Sequence, residues 1–246
     1  PQLQFEVIRP VGALTRAVKA VALIPGSTEF GYAPLGTTRS LREGQAEALN
    51  RHVLFGASDF AASVNELQAV CPNLKHVALV VAWFADDLRA GTCTVRPKVV
   101  SGGAAATGTA WRVSDLEGAD ADTVTQDGGR DAFGGTPSDA SVIDAIRDLK
   151  ARGLKVTFYP FVMMDVPAGN ALPDPYGGTA QAAYPWRGRI TCHPAAGQTD
   201  SADRTAVARA QAQAFFGDAL VADFSSGGGQ VHFSGGADEW GYRRMI

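Results

Sequence analysis

The sequence predicts an α/β fold, part of a (β/α) barrel, and three observations carry that prediction. Val77 to Phe84 and Leu154 to Met164 are apolar runs with little alternation, as parallel strands covered on both faces require. Between them Val142, Ile143, Ile146 and Leu149 recur at helical spacing, which makes a strand, helix, strand unit of the kind that builds parallel sheets. Both runs end in acids, Asp86 and Asp87 after the first and Asp165 after the second, and a long loop-rich stretch follows each. On a (β/α) barrel that is the face where ligand-binding loops sit.

In chain order, Leu3 to Ile8 alternates apolar and polar residues, and Ala17 to Ile24 is a second β-like run ending at Pro25-Gly26. These are expected to form a small β segment, residues 1–38, that packs outside the barrel, with the partial barrel over residues 39–246. Leu41 to His52, rich in Glu, Gln, Ala and Leu, reads as a helix. Ser58 can cap a second one bearing Phe60, Val64, Leu67 and Val70, which Pro72 stops.

Thr136-Pro137-Ser138-Asp139 reads as N-cap, proline of the first turn and capping-box acid for the helix that Gly153 closes. Pro160, inside the second apolar run, is expected to bulge that strand or end it early. A further helix is expected from Asp200 or Ser201 through Val207, Ala210, Ala214 and Phe215 to Gly217. Val231 to Phe233 reads as a short strand, and a last helix starts near Asp238. The stretches 89–135 and 166–199 read as insertions, the first with hairpin strands at Thr92 to Val100 and Thr109 to Val113.

An eight-stranded barrel takes ~250 residues without insertions. The 246 residues are therefore expected to hold only part of one. The opening at Pro1 and the amphipathic run Trp240, Tyr242, Met245, Ile246 at the close read as a segment of a longer polypeptide.

Composition removes several classes of function. With 46% hydrophobic and 19% charged residues the chain can bury a substantial core. A formal net charge of −3 leaves no basic surplus for neutralising phosphates, so no direct nucleic-acid contact is expected. No apolar run approaches the ~20 residues that cross a bilayer as a helix. Cys71, Cys93 and Cys192 are odd in number and widely spaced, which reads as three free thiols, with a Cys93 to Cys192 bridge as the alternative. His52, His76, His193 and His232 lack partners at metal-ligand spacing, and the paired glycines lack the strand and helix context of a nucleotide loop. No metal and no cofactor is expected.

Asp86, Asp87 and Asp165 are the candidate acids, because carboxylates at strand C-termini point toward a barrel's active face; as loop acids or helix caps they would serve structure alone. Trp83, Phe84, Tyr159 and Trp186 can stack on sugar rings or pack in the core. Trp186-Arg187-Gly188-Arg189 sets an aromatic plane between two guanidiniums, which suits an acidic or hydroxyl-rich glycan. The same arginines can instead clamp loop carbonyls or the carboxylates of Asp165 and Asp174. The candidate substrate-binding set is thus Trp83, Asp86, Asp87, Asp165, Trp186, Arg187 and Arg189, with catalytic residues unassigned.

Four strings carry a resemblance: HVALVVAWFADDLR (His76 to Arg89), GGTPSDASVIDAIRDLKARGLKVTFYPFVMMDVPAGNALPDPYG (Gly134 to Gly177), YPWRGRITC (Tyr184 to Cys192) and EWGYRRMI (Glu239 to Ile246). From about Asn73 onward the chain resembles the glycoside-hydrolase-like TIM-barrel domain of gene transfer agent baseplate megatron proteins. The opening PQLQFEVIRP is similar to a segment of phage tail-hub proteins. The resemblance implies a structural baseplate component at the tip of a phage-like tail, assembled in the bacterial cytoplasm and acting in an extracellular particle. It implies other baseplate and tail-hub proteins and further copies of the chain as partners, and a role in cell-surface attachment and DNA delivery. Two other functions follow from the barrel type: an active glycoside hydrolase on capsule or cell-wall polysaccharide, and a glycan-binding module without turnover. Hydrolysis needs two carboxyl groups ~5–10 Å apart, and in related hydrolases these come from later strands.

Overall fold

The computed structural model of the chain describes residues 9–10, 12–24, 28–103, 105–183 and 189–246. The strand expected at Leu3 to Ile8 lies outside them. In chain order the elements are α1 (Ala13–Ala17), β1 (Ala20–Leu23), β2 (Thr38–Arg42), β3 (Gln45–Ala48), α2 (Asp59–Val70), β4 (His76–Ala85), β5 (Val95–Arg96), β6 (Arg112–Val113), β7 (Leu116–Glu117), β8 (Gln126–Asp127), β9 (Arg130–Asp131), α3 (Asp139–Ala151) and β10 (Lys155–Met164). Then follow α4 (Ala206–Phe216), a 3-10 turn (Val221–Asp223), β11 (Phe224–Gly227), β12 (Gln230–Phe233) and α5 (Tyr242–Met245).

The central sheet runs β1-β4-β10, all parallel, with β5 antiparallel to the end of β4. The expected crossover is therefore present: β4 pairs with β10 from His76↔Lys155 to Ala85↔Met164 without a break, and α3 links them. Side chains alternate along β4. Val77, Leu79, Val81 and Trp83 join the core that holds Phe60 and Val64 of α2 and Val142, Ala145 and Leu149 of α3. On the opposite side of β4, Phe84 lies against Phe133 with ring centroids 5.8 Å apart.

Ser138 caps α3: its hydroxyl accepts from Ser141 N at 3.3 Å, and Asp139 occupies the first turn. The cap is thus Ser138 and not Thr136, whose hydroxyl donates to Ala82 O and accepts from Lys98 N, tying the insertion to β4. Because Ser138 is fully buried, Ser138→Ala leaves a donor unmet. The expected cost is about 1 kcal/mol in urea denaturation, with unchanged circular dichroism.

Several elements differ from expectation. Ala20–Leu23 pairs with His76–Leu79 in the same sheet as β4, and Val21 and Leu23 pack on its core, so this strand does not pack apart from the β4–α3–β10 unit as expected. The Tyr32 hydroxyl reinforces that junction, donating to Val80 O at 2.5 Å and lying 2.9 Å from Leu23 O. The helix expected from Leu41 to His52 is instead the antiparallel hairpin β2–β3. Gly44, at φ +74, makes its turn, and buried Asn50 staples the base, accepting from Thr37 N and donating to Phe30, Ala33 and Leu35 carbonyls. Helix-forming side chains are overridden there by a left-handed turn and by tertiary hydrogen bonds.

Pro160 neither bulges nor ends β10, since Pro160↔Val81 sits inside an unbroken register. Among the described strands β10 is at the sheet edge, where a missing N–H costs no ladder bond. The helix expected from Asp200 starts at Ala206, capped by Thr205, because Asp200 and Arg204 hold positive φ of 55 and 60. Thr92 to Val100 and Thr109 to Val113 do not pair with each other: β5 pairs with β4, and β6 with β7.

The insertion 89–135 is not loosely attached. Trp111, Val113 and Val124 are buried in it, and Trp111 Nε1 donates to Thr136 O at 2.7 Å. The second insertion joins the first through Ala90 N to Thr191 O, and Thr191 N also donates to Leu88 O just after β4. All three cysteines are free thiols. Burial pushes the Cys93 thiol up to about 12, which leaves it inert.

Candidate functional site

The acids singled out in the sequence do converge on the C-terminal ends of the strands, and each is fully engaged. Asp86 follows β4, and its two oxygens accept from Thr94 N at 2.8 Å and Thr94 Oγ1 at 2.7 Å. Asp87, 4% exposed, pairs with Arg89 at 2.6 Å and accepts from Thr92 Oγ1 at 2.9 Å and Gln181 Nε2 at 2.6 Å. Burial opposes its charge, yet the hydrogen bonds from Arg89, Gln181 and Thr92 prevail and hold its carboxyl below the usual range. Asp165, 1% exposed, receives Lys98 Nζ at 2.9 Å together with the Thr125 amide and hydroxyl. Each carboxylate thus fastens an insertion to a strand end.

The remaining expected site residues separate. Trp83 is 4% exposed and packs on Trp240, ring centroids 6.1 Å apart, as part of the core. Arg189 is exposed, and its carbonyl accepts from the Tyr176 hydroxyl at 3.1 Å. Asp165 is met by Lys98 and Asp174 accepts from Tyr176 N, so neither is clamped by Arg189. Trp186 and Arg187 lie outside the described residues.

A further acid stands near the same face. Glu29, 4% exposed, follows β1, and its carboxylate accepts from Val100 N at 2.7 Å. Gly103 and Gly135 make room for it, since a Cβ on either would collide with Glu29 Oε1. Burial raises the Glu29 pKa. With β1 placed outside the barrel, sequence reading gave Glu29 no strand end to belong to.

A concavity lies elsewhere, on the α3 side of the sheet: a cavity of about 880 Å³ between α3, β10, the β11–β12 hairpin and α5. Val81, Trp83, Val142, Ile146, Phe158 and Met245 line it, and its polar wall comes from Ser114, Asp139, Arg243 and Arg244. Ser114 and Asp115 form the β6–β7 turn with φ of 49 and 65, a conformation that usually takes Asn or Gly. Three distant elements hold that strained turn. Asp139 Oδ2 accepts from Ser114 N at 2.9 Å, and Arg244 donates to Ser114 O at 2.8 Å. Asp115 accepts from Phe233 N at 2.7 Å and contacts His232 Nδ1 at 2.9 Å.

Burial lifts the Asp139 carboxyl to about 6 and lowers Arg244 to about 10. For Asp139, burial outweighs the hydrogen bond it accepts from the Ser114 amide. Nothing in the local sequence flags it, because Asp139 reads as an ordinary acid in a helix's first turn. Among the described residues no group of three or more His, Cys, Asp or Glu side chains is placed to hold a metal ion, and no helix is long and apolar enough to cross a membrane. No model of a known protein family matches the chain, and no curated protein matches it.

Proposed function

We propose that the chain is a structural baseplate component of a phage-like gene transfer agent particle, a partial glycoside-hydrolase-like barrel whose loop face serves assembly at the tail tip. The four strings from His76 onward support the family, and the parallel β4–α3–β10 unit agrees with a barrel segment. One observation carries the structural role over hydrolysis: every oxygen of Asp86, Asp87 and Asp165 is taken up in cross-links between strand ends and insertions. Acids so engaged stiffen a loop face that must dock against neighbouring subunits. Other baseplate and tail-hub proteins, further copies of the chain and a cell-surface glycan are the partners this reading implies.

The test uses particles carrying Asp86→Asn, Asp87→Asn, or Asp165→Asn together with Lys98→Gln, the last so that no ammonium is left unpaired. Tail assembly and release of reducing sugar from host polysaccharide are compared with unaltered particles. The expected result is sugar release unchanged from the parent, with any deficit appearing in assembly. Normal assembly with sugar release reduced ~100-fold or more, the scale of a lost general acid or base, would place catalysis at these acids and overturn the assembly role.

A further inference from the structure

The cavity beside α3 lies within the ~300–1,000 Å³ of small-molecule sites, and Val81, Val142, Ile143, Ile146, Phe158 and Val231 give it apolar walls. Its charged groups are already answered. Asp139 accepts from Ser114 N at 2.9 Å, and Arg244 donates to the Ser114, Ala237 and Glu239 carbonyls, with the Glu239 and Asp115 carboxylates as neighbouring charges. Arg243 is exposed, so water and salt screen its charge. The wall thus holds both signs of charge and leaves neither over for an ionic head, which is costly to strip of water without a partner. Anions and cations are both disfavoured there.

One polar group of the wall is only half used. Ser114, 3% exposed, accepts from Arg244 Nε at 3.2 Å through its hydroxyl, and among the described residues that hydroxyl donates to no acceptor. A hydroxyl can donate one hydrogen bond as well as accept, so a carbonyl oxygen brought into the cavity would complete it. The turn that carries Ser114 is held by Asp139, by Arg244 and, through Asp115, by β12, so its backbone is fixed before any ligand arrives.

We propose that this cavity binds an uncharged single-chain carbonyl compound, its chain along Ile143, Ile146 and Phe158 and its carbonyl oxygen accepting from the Ser114 hydroxyl. The apolar walls suit the chain, the balanced charges select a neutral head, and the free hydroxyl proton selects an acceptor. The inference stands apart from the particle role.

The full chain is titrated with 2-octanone, 2-decanone and 2-dodecanone below their solubility limits, and with decanoate and decyltrimethylammonium as charged chains of matched length. Binding is followed by calorimetry and by tryptophan fluorescence, since Trp83 lines the cavity. Expected are saturable one-to-one binding of the ketones, roughly fourfold tighter per added methylene, and at least ~tenfold weaker binding of both ionic chains. Ser114→Ala removes the hydroxyl and keeps the carbonyl that Arg244 binds, and it should weaken 2-decanone about fivefold. Ile146→Trp should abolish binding by filling the cavity, and both variants should keep the parent circular dichroism. No saturable ketone binding to the folded chain, an ionic chain bound as tightly as 2-decanone, or indifference to either substitution would each overturn the proposal. So would dimerisation in sedimentation that Ile146→Trp disrupts and 2-decanone does not, since a second copy would then be the occupant.

Discussion

Asp165→Ala is expected to destabilise the fold by about 3–5 kcal/mol, the cost of leaving a buried charge without its partner. The Lys98 side chain is 13% exposed, its ammonium lies 2.9 Å from Asp165, and no other ion pair of Lys98 is present among the described residues. The same substitution strands the Thr125 amide, which points at the lost carboxylate. Urea denaturation should show the loss in the midpoint with little change in slope. The double change Asp165→Leu with Lys98→Met should recover more than half of it, because a buried pair replaced by apolar groups costs far less than a pair cut in two. If the double variant is no better than Asp165→Ala, the loss comes from packing at the strand end and the charge account fails.

That pair also shows where sequence reading stopped. The β4–α3–β10 unit was legible because its signals are local: two apolar runs, a helical stripe, and a capping segment just before it, although the cap itself is Ser138 and not Thr136. β1 was misplaced because Ala20–Leu23 is too short to declare its partner, and its pairing with His76–Leu79 spans two intervening elements of the hairpin and a helix. At Leu41 to His52 the composition favours a helix, and only Gly44 marks the turn that decides otherwise.

The positions of Asp86, Asp87 and Asp165 at strand ends could be read directly, but their partners could not. Lys98, Thr125 and Gln181 lie in the two insertions, far from the acids in sequence, and only the folded chain brings them within hydrogen-bond distance. Asp139 was harder still. It meets Ser114 from one hairpin, while Arg244 reaches the same turn from the last helix, so the cluster draws on three separate regions.

Asp139 gives the second large effect, and its sign is opposite to that of an ordinary paired carboxylate. Its folded pKa is raised from 3.8 to about 6, chiefly by burial, so the folded chain holds a proton that the unfolded chain has released between those values. Stability from this group is fully present below the unfolded value and is lost as pH rises through about 6. At about 1.36 kcal/mol per pH unit, the wild type should lose up to roughly 3 kcal/mol between pH 4 and pH 8 relative to Asp139→Asn, which does not titrate. The comparison across pH matters more than the offset at any one pH, because asparagine keeps one acceptor for Ser114 N and gives up the other oxygen. Denaturation midpoints of the two proteins, measured at pH 4, 5, 6, 7 and 8, should therefore show the wild-type value falling relative to that of Asp139→Asn as pH rises to about 6 and levelling off above it. Parallel curves would mean that the Asp139 carboxyl is solvated and titrates alike in the folded and the unfolded chain.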